Sequence, residues 1–159
     1  MLSINDMQLE LTDILYEYSF AEERCLDVDE KYPLGMKVLY KPLAYVFDPD
    51  TYIICRADTD EAKAIECPLV FPAVSRIEVM RAYVDQLNDR RLRFNFRELN
   101  DADFQKLFWG CFDDGGEKLA DVRKFEEYYR YSRIVEWCDD NGIAYYIKNE
   151  NIKKALAYK

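Results

Sequence analysis

Apolar residues recur at helical spacing through most of the second half of the chain, and this feature limits the fold more than any other. A capping box at Ser75 opens one helix, Asn100 or Asp101 caps another, and a longer helix is predicted over residues 117–140. The predicted core consists of the apolar positions of the first two patterns, namely Ile77, Met80, Val84, Leu87, Phe104, Leu107 and Phe108.

The apolar pattern changes to short β-rich runs between residues 43 and 56. Residues 43–47 and 52–56 are rich in Val, Ile and Tyr, and the Asp-Pro-Asp-Thr sequence at 48–51 is typical of a type I turn. We therefore expect a β-hairpin near 43–56. Further strands are predicted at 37–40, 69–71 and 143–147, and a short terminal helix after Asn149. The predicted fold class is α+β, a small antiparallel sheet covered by several helices in one domain, residues 1–159.

The N-terminal segment predicts a first helix that begins at Ser3, with Ile4, Met7, Leu11, Ile14, Leu15 and Tyr18 on its buried side. Its other side would carry an exposed acidic ridge of Asp6, Glu10, Asp13 and Glu17. Such a ridge can dock a basic partner, or it can serve only to solubilise the helix.

Charge limits the partners that this chain can bind. The 31 acids outnumber the 22 bases and give a formal net charge of −9, which disfavours nucleic acid and anionic membrane surfaces. The start lacks the basic region of a signal peptide, and no apolar run is long enough to span a bilayer. We expect a cytoplasmic protein whose partner is another protein. The sequence leaves the oligomeric state open.

The chain contains no histidine, which removes Ser-His-Asp and Cys-His catalysis as well as His-ligated metal sites. Its five cysteines are scattered without a Cys-x-x-Cys motif, so we expect reduced and mostly buried thiols. None of the five glycines belongs to a phosphate-binding loop. We therefore predict no cofactor and no metal, and we assign no catalytic residue.

Two segments of the chain resemble uncharacterised protein family number 0158, a group of bacterial proteins of unknown function. They are residues 76–92 (RIEVMRAYVDQLNDRRL) and 133–143 (RIVEWCDDNGI). A weaker likeness covers the hairpin, where Tyr52 stands in place of the family's glycine, and Val122 replaces an expected tryptophan. The resemblance implies a bacterial origin and the order of the elements, and it implies no activity.

The charge balance reverses locally between residues 76 and 97, where six arginines face three acids. Residues 91–97 fit a strand as well as a helix, and we prefer the helix. A helix would place Arg90, Arg93 and Arg97 on one side as a candidate phosphate-binding face, with Phe94 or Phe96 available for stacking. The alternative is that the arginines pair with the protein's own acids, as Arg81 and Asp85 can do at a spacing of four.

Three functional readings follow. The preferred one is a non-enzymatic bacterial interaction or regulatory module. The second is a phosphate-directed binder, for nucleic acid or a phosphorylated ligand, that uses the arginine segment. The third is an enzyme that works without histidine, which would require a deep pocket with converging carboxylate, Tyr, Lys or Cys side chains.

Overall fold

The computed structural model of the chain describes residues 7–20 and 44–158. These residues form seven helices and five short strands, an α+β fold as predicted. In chain order they are β1 (Leu9–Glu10), α1 (Asp13–Tyr18), β2 (Tyr45–Asp48), β3 (Ile53–Arg56), α2 (Asp60–Lys63), β4 (Leu69–Val70), α3 (Arg76–Gln86), α4 (Arg90–Phe96), α5 (Asp101–Phe112), α6 (Glu117–Asp140), β5 (Tyr145–Tyr146) and α7 (Glu150–Leu156). The strand predicted at 37–40 lies outside the described residues. No helix in the described part is long and apolar enough to cross a membrane.

The predicted hairpin is formed by β2 and β3, and β4 pairs antiparallel with the other side of β2. The Asp48 carboxylate accepts hydrogen bonds from the Asp50 backbone N–H (2.9 Å) and the Thr51 hydroxyl (3.0 Å), which fixes the turn. Tyr52 has a φ of 57°, the left-handed conformation that glycine adopts most readily.

The predicted helix from Ser3 is wrong over residues 7–12, where the chain is extended and β1 pairs in parallel with β5. The Leu9 N–H donates to the Ala144 carbonyl (2.8 Å) and the Leu11 N–H to the Tyr146 carbonyl (3.0 Å). Leu9 and Leu11 are both buried on either side of Glu10, which is the period of two that defines a strand. Helix α1 begins only at Asp13, and Ile14 is exposed.

The helix signals in the second half are confirmed. The Ser75 hydroxyl accepts from the Glu78 N–H (3.2 Å), and the Asn100 side chain accepts from the Asp103 N–H (2.8 Å). Residues 90–96 form helix α4, and α6 has the predicted bounds. It ends at Asp140, and Gly142, two residues later, has a φ of 65°, which suits the left-handed turn after a helix.

Two hydrophobic clusters form the core, and α6 contributes to both. The first joins α1, the three-stranded sheet and the C-terminal half of α6, through residues such as Phe47, Phe71 and Ile134. The second joins α3, α4, α5 and the N-terminal half of α6. It contains the predicted core, in which Met80, Val84, Phe104 and Phe108 are buried and Ile77, Leu87 and Leu107 are half-buried.

Arg130 lies on α6 between the residues that serve the two clusters, and its side chain is fully buried. Its guanidinium donates to the carbonyls of Val74 (2.6 Å) and Ser19 (3.2 Å) and forms an ion pair with Glu126 (3.0 Å). The ring of Phe20 lies 3.4 Å from the Arg130 Cζ. These partners offset the cost of desolvating the charge and join the end of α1 to α6.

Candidate interaction surface on helix α4

Helix α4 is held to the core by one side only. The Asp89 carboxylate caps it by accepting from the Leu92 N–H (3.0 Å). Phe96 is buried, with its ring centroid 4.8 Å from that of Phe104, and Leu92 is half-buried. Because residues on a helix are about 100° apart, this anchoring leaves the opposite side of α4 to solvent.

The solvent side of α4 carries one exposed aromatic ring and several exposed arginines. Phe94 is 69% exposed, and Arg90 and Arg91 precede it by four and three residues, the spacings that place side chains next to each other on a helix. Arg93, next to Phe94 in the sequence, is also exposed, and so is Arg97, which directly follows the last residue of the helix. We call these five residues, Arg90, Arg91, Arg93, Phe94 and Arg97, the basic–aromatic face.

The arginines of the basic–aromatic face make no ion pair with any residue that the structure describes. The prediction that the arginines pair with the protein's own acids is therefore wrong for these four. It is right for Arg81, but with a different partner: Arg81 reaches Asp101 (2.8 Å) and lies over the ring of Phe104 instead of pairing with Asp85. Packing between α3 and α5 decides this choice.

The structure also corrects the predicted composition of the surface. Phe96 is not available for stacking because it is buried in the second cluster. Arg97 lies beyond the last turn of α4, where the backbone is extended, so it does not share a helical face with Arg90 and Arg93. Arg91 was missed, although its spacing of three from Phe94 is readable in the sequence.

The predicted acidic ridge does not form on one helix. Glu10 lies on strand β1 and is half-buried, whereas Asp13 and Glu17 are exposed and lie four residues apart on α1. Asp6 lies outside the described residues. Two of the four acids therefore share a helical face, and Glu17 already has an interaction within the protein.

Four grooves border the helices of the described chain, and the smallest, of about 220 Å³, lies between α1, α6 and α7. A groove of about 460 Å³ between α3, α5 and α6 includes Trp109 and Glu126, and Glu126 is already paired with Arg130. A groove of about 670 Å³ between α6 and α7 includes Asp121, which accepts hydrogen bonds from the hydroxyls of Tyr83 (2.7 Å) and Tyr158 (2.9 Å). A third groove, of about 390 Å³, lies between the end of α4 and α5.

Several buried or half-buried Cys and Tyr side chains are held in their protonated forms. Burial raises the pKa of the Cys138 thiol to about 12. Burial and the hydrogen bond to Asp121 raise the pKa of Tyr158 to about 12, and the same two causes raise the pKa of Tyr83. Within residues 7–20 and 44–158, no three His, Cys, Asp or Glu residues come together in a way that could hold a metal ion.

The prediction of mostly buried thiols is right for Cys138 and wrong for Cys67, which is exposed. Cys55 and Cys111 are half-buried. Cys67 lies between α2 and β4, next to Pro68, where no apolar periodicity directs it inward. Cys25 lies outside the described residues.

No family model matches the chain, and no curated protein or solved structure matches it. Membership of family number 0158 thus stays a prediction from residues 76–92 and 133–143.

Proposed function

We propose that the chain is a non-enzymatic interaction module that docks an acidic segment of a partner protein on the basic–aromatic face of α4. The observation that carries this proposal is the set of four exposed arginines on and just after α4 that have no ion-pair partner within the described chain, together with the exposed Phe94 on the same helix. Arginine and aromatic residues are the types enriched at the centres of protein interfaces.

A short acidic segment suits this surface better than a long polyanion. Exposed charges are screened beyond about 8 Å at physiological salt, so a short segment interacts mainly with the local cations. A nucleic acid would also run past the surrounding acids of a chain whose net charge is −9. Four arginines would release few counterions from a phosphate backbone, which limits affinity at physiological salt.

The second candidate is a phosphate-directed binder, and the exposed ring of Phe94 is the observation that favours it. A base can stack on an exposed aromatic ring while guanidinium groups contact the neighbouring phosphates. This candidate makes a distinct prediction, since Phe94→Ala would then weaken binding to single-stranded nucleic acid, and binding would fall steeply with salt.

Fluorescence anisotropy separates the two candidates. The labelled probes are a glutamate-rich peptide with one tryptophan, single-stranded DNA and single-stranded RNA, each titrated across a salt series. We expect the peptide to bind more tightly than either nucleic acid, and Arg93→Glu to weaken peptide binding about tenfold because it replaces an attraction with a repulsion.

The matched control is Arg123→Glu, which makes the same charge change at an exposed arginine of α6 that has no ion pair in the described chain. Its peptide affinity should stay within about twofold of the wild type. Equal losses in the two variants would show a general charge effect and refute the proposed surface. Tighter binding of RNA or DNA, abolished by Phe94→Ala, would establish the second candidate instead.

A further inference from the structure

We infer that the groove between α4 and α5 receives apolar side chains of the docked segment, so that the ligand class is an acidic amphipathic helix. This inference rests on the proposed function and adds the chemistry and the shape of the partner to it. The juxtaposition that carries it is an apolar groove that includes Asn95, which follows Phe94 and lies one helical turn from Arg91 of the basic–aromatic face, whose arginines have no ion pairs in the described chain.

The groove is lined by Asn95 and Leu99 on one side and by Leu107 and Gly110 on the other, and its volume is about 390 Å³. Leu99 and Leu107 are half-buried, so part of each side chain faces solvent. A Cβ atom added at Gly110 would meet no other atom within 4 Å. The absence of a side chain at Gly110 therefore leaves open space, which is available to a side chain of a ligand.

The groove and the basic–aromatic face belong to one continuous surface. Asn95 follows Phe94 on α4 and follows Arg91 by four residues, so it lies on the same side of the helix as Arg91. Leu99 follows Arg97 by two residues. A ligand that covers Phe94 therefore reaches the groove within one helical turn, or about 5 Å.

The lining of the groove indicates a helical occupant. Asp103, Leu107 and Gly110 are spaced four and three residues apart on α5, with Lys106 beside Leu107, so the groove runs along the helix axis for about 10 Å. That length accommodates two apolar side chains at a spacing of three or four on a second helix. Asp103 and Lys106 balance each other, so the attraction for acidic groups comes from the arginines of α4.

The other three grooves lack this combination, and the 220 Å³ groove has no arginine in its lining but two acids, Asp13 and Glu127. In the 460 Å³ groove, Arg123 has no ion pair in the described chain but shares the lining with the acids Asp113 and Glu126, and Arg76 already interacts within the protein. The carboxylate of Asp121 in the 670 Å³ groove accepts two tyrosine hydroxyls. Only the α4–α5 groove, among those described, lies next to the basic–aromatic face.

The experiment compares two labelled peptides of about 15 residues, a length that allows a helix to form on binding. Both carry the same acidic residues, and one has leucines at a spacing of four where the other has serines. We expect the wild-type protein to bind the leucine peptide about tenfold more tightly, because two leucine side chains leave water.

Gly110→Met should fill the groove and remove this preference, while the affinity for the serine peptide stays unchanged. Gly110→Ala, which adds only one carbon, should keep most of the preference. Helix α5 should tolerate both changes because alanine and methionine are better helix formers than glycine. Circular dichroism verifies that each variant is folded.

The outcomes separate this inference from the proposed function. Equal affinities of the wild type for the two peptides, or a preference for the leucine peptide that survives Gly110→Met, would refute the binding of apolar side chains in the groove and leave docking on the arginines intact. Affinities that do not respond to Arg93→Glu, or the absence of binding to both peptides, would overturn the groove and the proposed function together.

Discussion

Replacing Phe108 by alanine measures how much the second cluster contributes to the free energy of unfolding. Its side chain is fully buried, and its ring centroid lies 4.8 Å from that of Phe112, 6.0 Å from Tyr83 and 6.2 Å from Phe104. Burial of a Phe side chain is worth about 1.5–3 kcal/mol, and each favourable ring pair adds about 0.5–1.5 kcal/mol. With the cavity that alanine leaves, we expect a loss of about 3–5 kcal/mol.

Urea denaturation followed by far-UV circular dichroism measures this loss, and the dependence on urea concentration should not change because the unfolded surface stays nearly the same. For a chain of this size the melting temperature should fall by roughly 2–4 °C per kcal/mol. Phe94→Ala is the control, since Phe94 is 69% exposed and its loss should cost less than about 0.5 kcal/mol. A cost below about 1 kcal/mol for Phe108→Ala, or equal costs for the two variants, would refute the assignment of the core.

Three further results are expected. Gly142→Ala should destabilise the protein by about 1–2 kcal/mol in urea denaturation because φ is 65° there, whereas Gly110→Ala should stabilise it by about 0.5–1 kcal/mol; equal effects would contradict the argument. A thiol reagent should modify the exposed Cys67 in the native state and the buried Cys138 only after unfolding, as mass spectrometry can show. The fold raises the pKa of Tyr158 to about 12, so the protonated hydroxyl contributes its full stabilisation below about pH 10 and progressively less as the pH rises to 12. In Tyr158→Phe the denaturation midpoint should therefore fall less between pH 10 and 12 than in the wild type, and an unchanged pH dependence would exclude the effect.

The helices of the second half were predictable because their signals are local. The side chains of Ser75 and Asn100 each accept a hydrogen bond from the backbone N–H three residues later. The buried side of α5 can be identified from the spacing of its apolar residues alone. The β2–β3 hairpin was predictable for the same reason, since the side chain of Asp48 fixes the turn with its own neighbours.

The first helix was predicted wrongly because its true structure depends on residues far along the chain. Leu11 fits a helical stripe with its apolar neighbours at spacings of three and four, Met7, Ile14 and Leu15. Pairing of this segment with β5, more than 130 residues later, makes it a strand instead. The burial of Arg130 was equally unreadable, because the carbonyl groups of Ser19 and Val74 that accept its hydrogen bonds come together only in the folded protein.

The candidate surface was partly predictable. Arginines 90, 93 and 97 stand out from the acidic sequence by charge alone, but the sequence cannot show that their guanidinium groups lack internal partners. The groove was missed because Leu99, Leu107 and Gly110 become neighbours only when α4 packs on α5. The one available signal was Gly110 inside a helical pattern, because a glycine there lowers helix stability by about 1 kcal/mol relative to alanine and so calls for another reason for its presence.

Helix α6 places an unusual limit on how the length of this chain can change. Val122 and Phe125 belong to one cluster, and Ile134 and Cys138 belong to the other. A single helix therefore fixes the direction in which the side chains of one half point relative to those of the other half. One residue inserted or deleted near Arg130 would rotate one half of the helix by about 100° relative to the other and turn one set of apolar side chains away from its cluster. The segments between helices can therefore vary in length among related sequences, whereas the central turns of α6 should keep an invariant residue count.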